Sequence, residues 1–201
     1  MNFLSIDCST DIGTLFVKVK NKTFIKILQS DNSSNDLLMK KIIDFFHENN
    51  LNFNDITNIF INQGPGNFSS LRGSISVAKG VSISKNISLF GYDTFLWASA
   101  KFFNKQNLIC SFIKFREKYY VKKFDKKLNI VSEANEVRKE EIINKYYDKF
   151  LVIPKTAIKY FDSEILDLNN LKIVDLDHNE LESLQLKGLL DEDLIKPIYL
   201  S

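Results

Sequence analysis

Histidine, cysteine and glycine are all scarce in this 201-residue chain, and each scarcity closes off a class of function. His47 and His178 are the only histidines, far apart and without an HxxxH or HxxE partner. A metal-hydrolase centre therefore lacks its ligands and a serine nucleophile lacks its base. Cys8 and Cys110 lie in strand-like apolar runs with no CxxC or Cys/His spacing, which reads as buried thiols in a reducing compartment. No uninterrupted apolar stretch approaches a membrane span, and the opening Met-Asn-Phe-Leu-Ser-Ile-Asp has no basic region and is broken by Asp7. Neither a spanning helix nor a signal peptide is expected, so the chain reads as soluble and cytoplasmic, without a membrane partner. A dominant sign of charge is missing too: 27 Lys and Arg stand against 25 Asp and Glu, a formal net charge of +2. That is too little for a dedicated nucleic-acid binder, and the wealth of Lys, Asn, Ile and Phe reads as the codon bias of an AT-rich genome.

The few glycines are unevenly spread. Gly13, Gly64, Gly66, Gly73, Gly80 and Gly91 fall in the first half and only Gly188 follows, so special backbone conformations are expected before residue 92 and a Gly-rich ligand loop is not expected after it. With the change in pattern past Lys105, this predicts two domains, 1–105 and 106–201, a length that buries a real core without cross-links.

Hydrophobic periodicity supplies the elements. Residues 3–7 read as a buried strand, 9–13 as a turn, and 14–20 and 23–28 as two more strands of a meander. After a polar linker from Ser30 to Asn35, Leu38, Ile42, Phe45 and Phe46 alternate with Lys40, Lys41, Asp44 and Glu48 at a helical period, predicting a helix over 35–50. A strand at 58–62, a turn at Gly64-Pro65-Gly66, a helix from Phe68 to about Ser84, a strand at 87–90 and a helix over 93–103 complete the order βββαβαβα. That order implies a mixed sheet covered by helices. A hairpin (108–115, 119–124) and a helix near 136–147 follow, with weaker signals to the end.

Four segments have the composition for binding or chemistry. Asp7-Cys-Ser-Thr-Asp-Ile-Gly13 is either a phosphate cup with an acid for hydrated magnesium or a turn capped by the Asp7 side chain. Gln63-Gly-Pro-Gly-Asn-Phe-Ser-Ser-Leu-Arg72 joins strand to helix; it matches neither the phosphate loop nor the dinucleotide fingerprint and reads as a stiff elbow, with Asn67 or Ser69 as helix cap and an exposed helix N-terminus able to attract an anion. The following helix is rich in small residues, and Gly73 and Gly80 inside it suggest close packing against the sheet or a partner helix. Lys114, Arg116, Lys118, Lys122, Lys123, Lys126 and Lys127, interleaved with Phe115, Tyr119, Tyr120 and Phe124, form either a tRNA-facing ribbon or a solvated edge with its aromatics in the core. Asp175 and Asp177 put two acids on one face of a candidate strand, with nothing glycine-rich beside them.

Taken together, Ile6-Asp7-Cys8-Ser9-Thr10, the elbow from Gln63 to Arg72, Ala78-Lys79-Gly80 and the closing Lys196-Pro197-Ile198-Tyr199-Leu200 resemble the TsaB/YeaZ family, specifically through residues 1–105 and at the end. The resemblance implies an α/β, actin-like (ASKHA, ribonuclease H-like) fold with an N-terminal βββαβαβα lobe and a reduced second lobe. It implies a non-catalytic subunit that pairs with TsaD and works with TsaE on N6-threonylcarbamoylation of adenosine 37 in tRNA, with tRNA met through the complex and a homodimer formed when alone. By the same analogy Leu38, Ile42, Phe45, Leu71, Arg72, Ile75 and Ala78 form the pairing surface. Gly64, Pro65 and Gly66 are a structural turn. Asp7, Ser9 and Thr10 are a vestigial nucleotide or phosphate site, with no intrinsic cofactor and ATP or ADP at most at the complex interface. Departures include Asn32-Ser33-Ser34-Asn35 where the family often has His-Ser-Glu, Ser70 for Gly, and Ser201 for a closing Arg. The rival from another class is a small-molecule kinase of the same superfold holding magnesium and phosphate on Asp7, Ser9 and Thr10; a peptidase lacks its ligands and triad.

Overall fold

The structure, a computed structural model, describes residues 1–28 and 37–200. The linker from Ser30 to Asn35, the first residues of the helix expected over 35–50, and Ser201 lie outside the described residues. The chain forms two compact units, one of residues 1–93 with 190–199 and the other of residues 94–189.

The first unit is built on strands β1 (Phe3–Asp7), β2 (Gly13–Val19), β3 (Lys22–Leu28), β4 (Asn58–Asn62) and β5 (Ser88–Tyr92), in the order β3-β2-β1-β4-β5. β1, β2 and β3 are antiparallel, while β4 and β5 join parallel to β1 because helices α1 (Leu38–Glu48) and α2 (Phe68–Lys85) make the crossovers. Register fixes two faces. Leu4, Ile6, Leu15, Val17, Ile59 and Ile61 point to one and pack with Leu38, Ile42, Phe45 and Phe46 of α1 and Ile75, Ala78 and Val81 of α2. The other face carries Phe16, Phe3, Phe60 and Phe90 in a row across four strands, with successive ring centroids 5.6, 4.9 and 5.9 Å apart.

The second unit holds a sheet ordered β10-β9-β6-β7-β8, from β6 (Leu108–Phe115), β7 (Lys118–Asp125), β8 (Ile130–Val137), β9 (Phe150–Pro154) and β10 (Leu171–Val174). Helix α3 (Thr94–Ser99), continued by a 3-10 turn at Ala100–Phe102, lies on β6 and β9. On the opposite face Cys110, Phe112, Val121, Leu151 and Ile153 pack with Ile142 of α4 (Lys139–Lys145), Ile165 of α5 (Ser163–Leu166) and Phe161. Helix α6 (Asn179–Leu186) closes the unit. Among the described residues no helix is long and apolar enough to cross a membrane.

Asparagine does the work that scarce glycine cannot. Asn21, Asn50, Asn86 and Asn104 all take positive φ, between 53° and 65°, and Asn86 ends α2 in the left-handed conformation. The β2–β3 hairpin turns on Lys20-Asn21 and the β6–β7 hairpin on Arg116-Glu117, both central residues of each having positive φ, which matches the right-handed strand twist.

Several expectations shift. The division falls after residue 93 rather than near 105, and residues 190–199 return to the first unit: Gly91 and Asp191 exchange backbone hydrogen bonds of 2.8 and 2.9 Å and Ile195 enters the first core. The helix expected over 93–103 gives way after Ser99 to a single 3-10 turn. The stretch around Glu136 belongs to strand β8, leaving a shorter helix from Lys139. Asp175 and Asp177 follow β10 in a loop instead of sharing a strand face.

His178, at the start of α6, is buried and packs tilted against Trp97, ring centroids 4.8 Å apart, and the Trp97 Nε1 donates to the Asp177 carbonyl at 2.9 Å. Burial drives its pKa from 6.5 down to about 4, with Asp177 opposing. The unfolded chain takes up this proton near pH 6.5 and the folded chain only near pH 4, so stability is complete above pH 6.5 and is lost as pH falls between those values, by up to about 3 kcal/mol. Thermal melts from pH 7 to pH 4 should show a wild-type penalty that His178→Phe removes; a wild-type minus variant difference that stays flat with pH would refute the buried neutral ring.

Candidate functional site

Asp7 ends β1, buried, with its carboxylate already engaged. Its Oδ1 accepts the Ser9 amide at 2.9 Å, closing a turn through its own side chain. Asn62, at the end of the neighbouring β4, donates from Nδ2 to Ser9 Oγ at 3.2 Å and accepts the Gly64 amide on Oδ1 at 2.8 Å. Burial raises the Asp7 pKa above the usual carboxylate value, against the lowering effect of hydrogen bonds from Ser9 and Asn62. A carboxyl shifted this way favours the fold most in acid and does so less as pH rises through the ordinary carboxylate range, the opposite of an ion-paired acid. Thr10, by contrast, is exposed and donates its hydroxyl to the Ile12 carbonyl at 2.9 Å. Of the three residues expected at a nucleotide site, Asp7 and Ser9 share one network with Asn62, and Thr10 stands outside it.

The elbow is seated directly on this turn. The Gly64–Pro65 peptide is cis, and Gly64 takes φ +110°. A Cβ on Gly66 would come within 2.0 Å of the Ser9 carbonyl oxygen, and the Asn67 amide donates to that same oxygen at 3.3 Å. Gln63 threads the elbow to the returning C-terminal segment: its amide donates to Tyr92 O at 2.8 Å, its carbonyl accepts Ile198 N at 2.7 Å and its Nε2 donates to Lys196 O at 3.1 Å. Tyr199 stacks on Phe68 at 5.0 Å, and the Arg72 guanidinium lies over that ring at 5.0 Å. Asn67 caps α2, its Oδ1 accepting Ser69 N at 3.0 Å and Ser70 N at 3.2 Å. The first turn of α2 thus takes Asn67 as its cap, one of the two caps that the sequence offers.

The expected pairing residues need correction. Leu38, Ile42, Phe45, Leu71, Ile75 and Ala78 are all buried in the first unit, because the apolar stripe on each helix faces the sheet; Arg72 alone of the set is exposed. The outward face carries other residues. Met39 and Ile43 of α1 and Ile83 of α2 are exposed, Ile43 by 50% and Ile83 by 82%. Along α2, Ser69, Gly73, Ser76, Gly80 and Ile83 recur at steps of four, three, four and three, a helix-pairing seam. Among the described residues close packing does not account for Gly80, since a Cβ there would meet nothing within 4 Å. A signal for this second face stood in the sequence: Leu37, Met39 and Ile43 are apolar beyond the stripe that one sheet contact needs.

The basic hairpin divides in two. Towards its tip Lys114 pairs with Glu117 at 3.3 Å and Asp162 at 3.8 Å, and Lys118 with Glu136 at 2.7 Å; midway along β7 Lys122 pairs with Glu133 at 3.4 Å. Tyr119, Tyr120 and Phe124 are buried, so they are unavailable for stacking on bases. Burial pushes the Cys8 thiol up to about 12 and the Cys110 thiol up to about 11, which leaves both protonated and unreactive at neutral pH. Among the described residues no group of three or more His, Cys, Asp or Glu could hold a metal ion.

Two substitutions weigh the turn-capping role of Asp7 against a cation-binding one. Asp7→Asn keeps an acceptor for the Ser9 amide and sheds a buried charge, so its urea-unfolding stability at pH 7 should fall within about 1 kcal/mol of wild type. Gly66→Ala must displace the Ser9 carbonyl and should cost more than about 2 kcal/mol. A large loss for Asp7→Asn would show that the carboxylate charge itself holds the turn.

The family model described as TsaD, tRNA N6-adenosine threonylcarbamoyltransferase, matches residues 29–142, more than half of the chain. No curated protein matches the sequence. Among solved structures, an uncharacterized protein with similarity to peptidase YeaZ from Pseudomonas aeruginosa is 14% identical with a TM-score of 0.73, the match covering 100% of this chain and 99% of that one. YeaZ from Pseudomonas aeruginosa is likewise 14% identical with a TM-score of 0.72, over 99% of both chains. Lmo2764 of Listeria monocytogenes, described as a putative N-acetylmannosamine kinase, shares the architecture more loosely, at 11% identity and a TM-score of 0.54 over 94% of this chain and 97% of that one. The fold is α/β with two mixed sheets, of the actin-like, ribonuclease H-like kind. The chain belongs to the family described as TsaD, tRNA N6-adenosine threonylcarbamoyltransferase, and it carries the YeaZ fold over its whole length, in keeping with its TsaB/YeaZ-like motifs.

Proposed function

We propose that this chain is a non-catalytic partner subunit in the synthesis of N6-threonylcarbamoyladenosine on tRNA, pairing with the catalytic subunit TsaD through the outward faces of α1 and α2. The observation that carries the reading is the seam of Ser69, Ser76, Gly80 and Ile83, exposed, with Gly73 half-buried among them; among the described residues Gly80 has nothing for a Cβ to pack against. A glycine there costs about 1 kcal/mol of helix stability relative to alanine, and close approach of a partner helix repays it. Beside it, Met39 and Ile43 on the adjacent α1 supply apolar area for the same contact.

The Asp7 network supports the non-catalytic side of the proposal. A kinase of this superfold would present that carboxylate to a hydrated cation, whereas Ser9 and Asn62 take it up here and Gly66 sits against the turn. The subunit would act by enriching the competent conformation of TsaD, since a partner that binds one state shifts the population towards it. Within this proposal the same face pairs two copies of the chain when TsaD is absent. TsaE and tRNA join through the assembled complex, any ATP or ADP binds at its interface, and the site of action is cytoplasmic.

Light scattering after size exclusion, with the chain alone and mixed with TsaD, tests the assignment. Gly80→Leu should raise thermal stability by up to about 1 kcal/mol while abolishing the one-to-one complex, and Ile43→Asp should abolish it with the fold intact. Ile42→Asp should instead unfold the first unit, since it places a charge in the core. A complex that survives both Gly80→Leu and Ile43→Asp would overturn the assigned face.

A further inference from the structure

Neutralised lysines at one end of the basic hairpin make the other end stand out. β6 and β9 begin, and β7 finishes, at the same end of the second unit's sheet, as their pairings Ile109 with Phe150 and Leu108 with Asp125 require. Lys123, Lys126 and Lys127 lie at the end of β7 and in the turn after it. Lys105 lies in the loop before β6, and its neighbour Asn104 donates its amide to Lys126 O at 2.7 Å. Lys149 leads into β9, and Lys187 after α6 lies over the Phe103 ring at 4.8 Å.

Among the described residues no carboxylate forms an ion pair within 4 Å of Lys105, Lys123, Lys126 or Lys127, though Lys127 lies in the field of Asp125, whereas Lys114, Lys118, Lys122 and Lys139 of the same unit all have paired acids. Three acids share the loops at this end: Asp167 is exposed before β10, which starts beside β9, while Asp148 and Asp125 are engaged. Asp148 pairs with its exposed neighbour Lys149 at 3.0 Å, a contact of little strength. Asp125 is committed to the turn itself, its Oδ1 accepting Lys127 N at 2.8 Å and Asn129 N at 2.9 Å and its Oδ2 accepting Asn129 Nδ2 at 2.9 Å. That turn includes Leu128 at φ +62°, its side chain buried, so Lys126 and Lys127 project from a backbone already fixed. Cations on a fixed turn, with the exposed ring of Tyr147 in the loop before β9 at the same end of the sheet, suit phosphates in series with an occasional stacked base.

We propose that this end of the second unit, centred on Lys105, Lys126 and Lys127, binds the phosphodiester backbone of RNA. The choice of RNA among polyanions rests on the tRNA-directed role proposed above; the cation surface itself belongs to this chain and needs no pairing partner. Binding here is electrostatic and indifferent to base sequence, so it positions an RNA and leaves base recognition to other surfaces.

The test is the anisotropy of fluorescein-labelled tRNA titrated with the full chain alone from 50 to 300 mM KCl, so that its result is read separately from complex formation with TsaD. The triple variant Lys105→Glu, Lys126→Glu, Lys127→Glu should bind at least tenfold more weakly near 100 mM KCl, with the slope of log affinity against log salt shallower by about two to three. A control of equal charge change on exposed lysines elsewhere, Lys20→Glu, Lys22→Glu, Lys172→Glu, should lose much less. The neutral triple variant to Gln should fall between, and thermal melts check that each variant is folded. Equal losses for the two Glu triples, a wild type with no salt-dependent tRNA binding, or equal affinity for vesicles rich in phosphatidylserine would each overturn the proposal, the last by reassigning the surface to anionic lipid.

Discussion

Much of the first unit depends on how closely one backbone segment approaches another at residue 66. The elbow between β4 and α2 rests on the carbonyl of Ser9, and only a residue without a Cβ can do so. That approach sets where α2 begins, and therefore which of its faces meets the sheet. Asp7 and Asn62 hold the Ser9 turn in position from two adjacent strands, and Gln63 carries the constraint on to the last residues of the chain. Polar groups at the strand ends are thus engaged in holding backbone.

How far the fold could be read in advance follows from how strongly each segment is patterned. Strands β1 to β5 and helices α1 and α2 show because they are buried on one or both faces, and burial writes a period of two, a period near four or a continuous apolar run into the residues. Strand β8 was hidden because it is an edge: Ile130 and Val131 are exposed and Glu133 and Glu136 pair with lysines of β7, so its composition suggested the polar start of a helix. The return of residues 190–199 to the first unit could not be read at all, since its main ties are backbone hydrogen bonds and one buried isoleucine.

The residues expected on a pairing face are, Arg72 apart, the ones that the core takes up. The regular apolar stripe of α1 and α2 is the part that a sheet demands, so the most conspicuous residues, such as Ile42 and Ile75, were taken up by the core. What remains available for recognition is the excess over that demand: a methionine and an isoleucine on α1, and small residues on α2. The same logic sorts the lysines. Those along the hairpin were conspicuous as a run, yet the structure gives several of them acidic neighbours, and the cations left over lie where three separate segments converge.

The return of the C-terminal segment has a consequence for synthesis. Residues 1–93 leave the ribosome about a hundred residues before the strap that completes their unit, an interval of roughly 5 to 20 s at ordinary elongation rates. During that time Gln63 lacks its hydrogen-bond partners at Lys196 and Ile198, and the first core lacks Ile195. The second unit has every residue it needs before the first does. The part of the chain that is made first is therefore completed after the second unit, and the surface proposed for pairing rests on a scaffold that becomes whole only once residues 190–199 have been made.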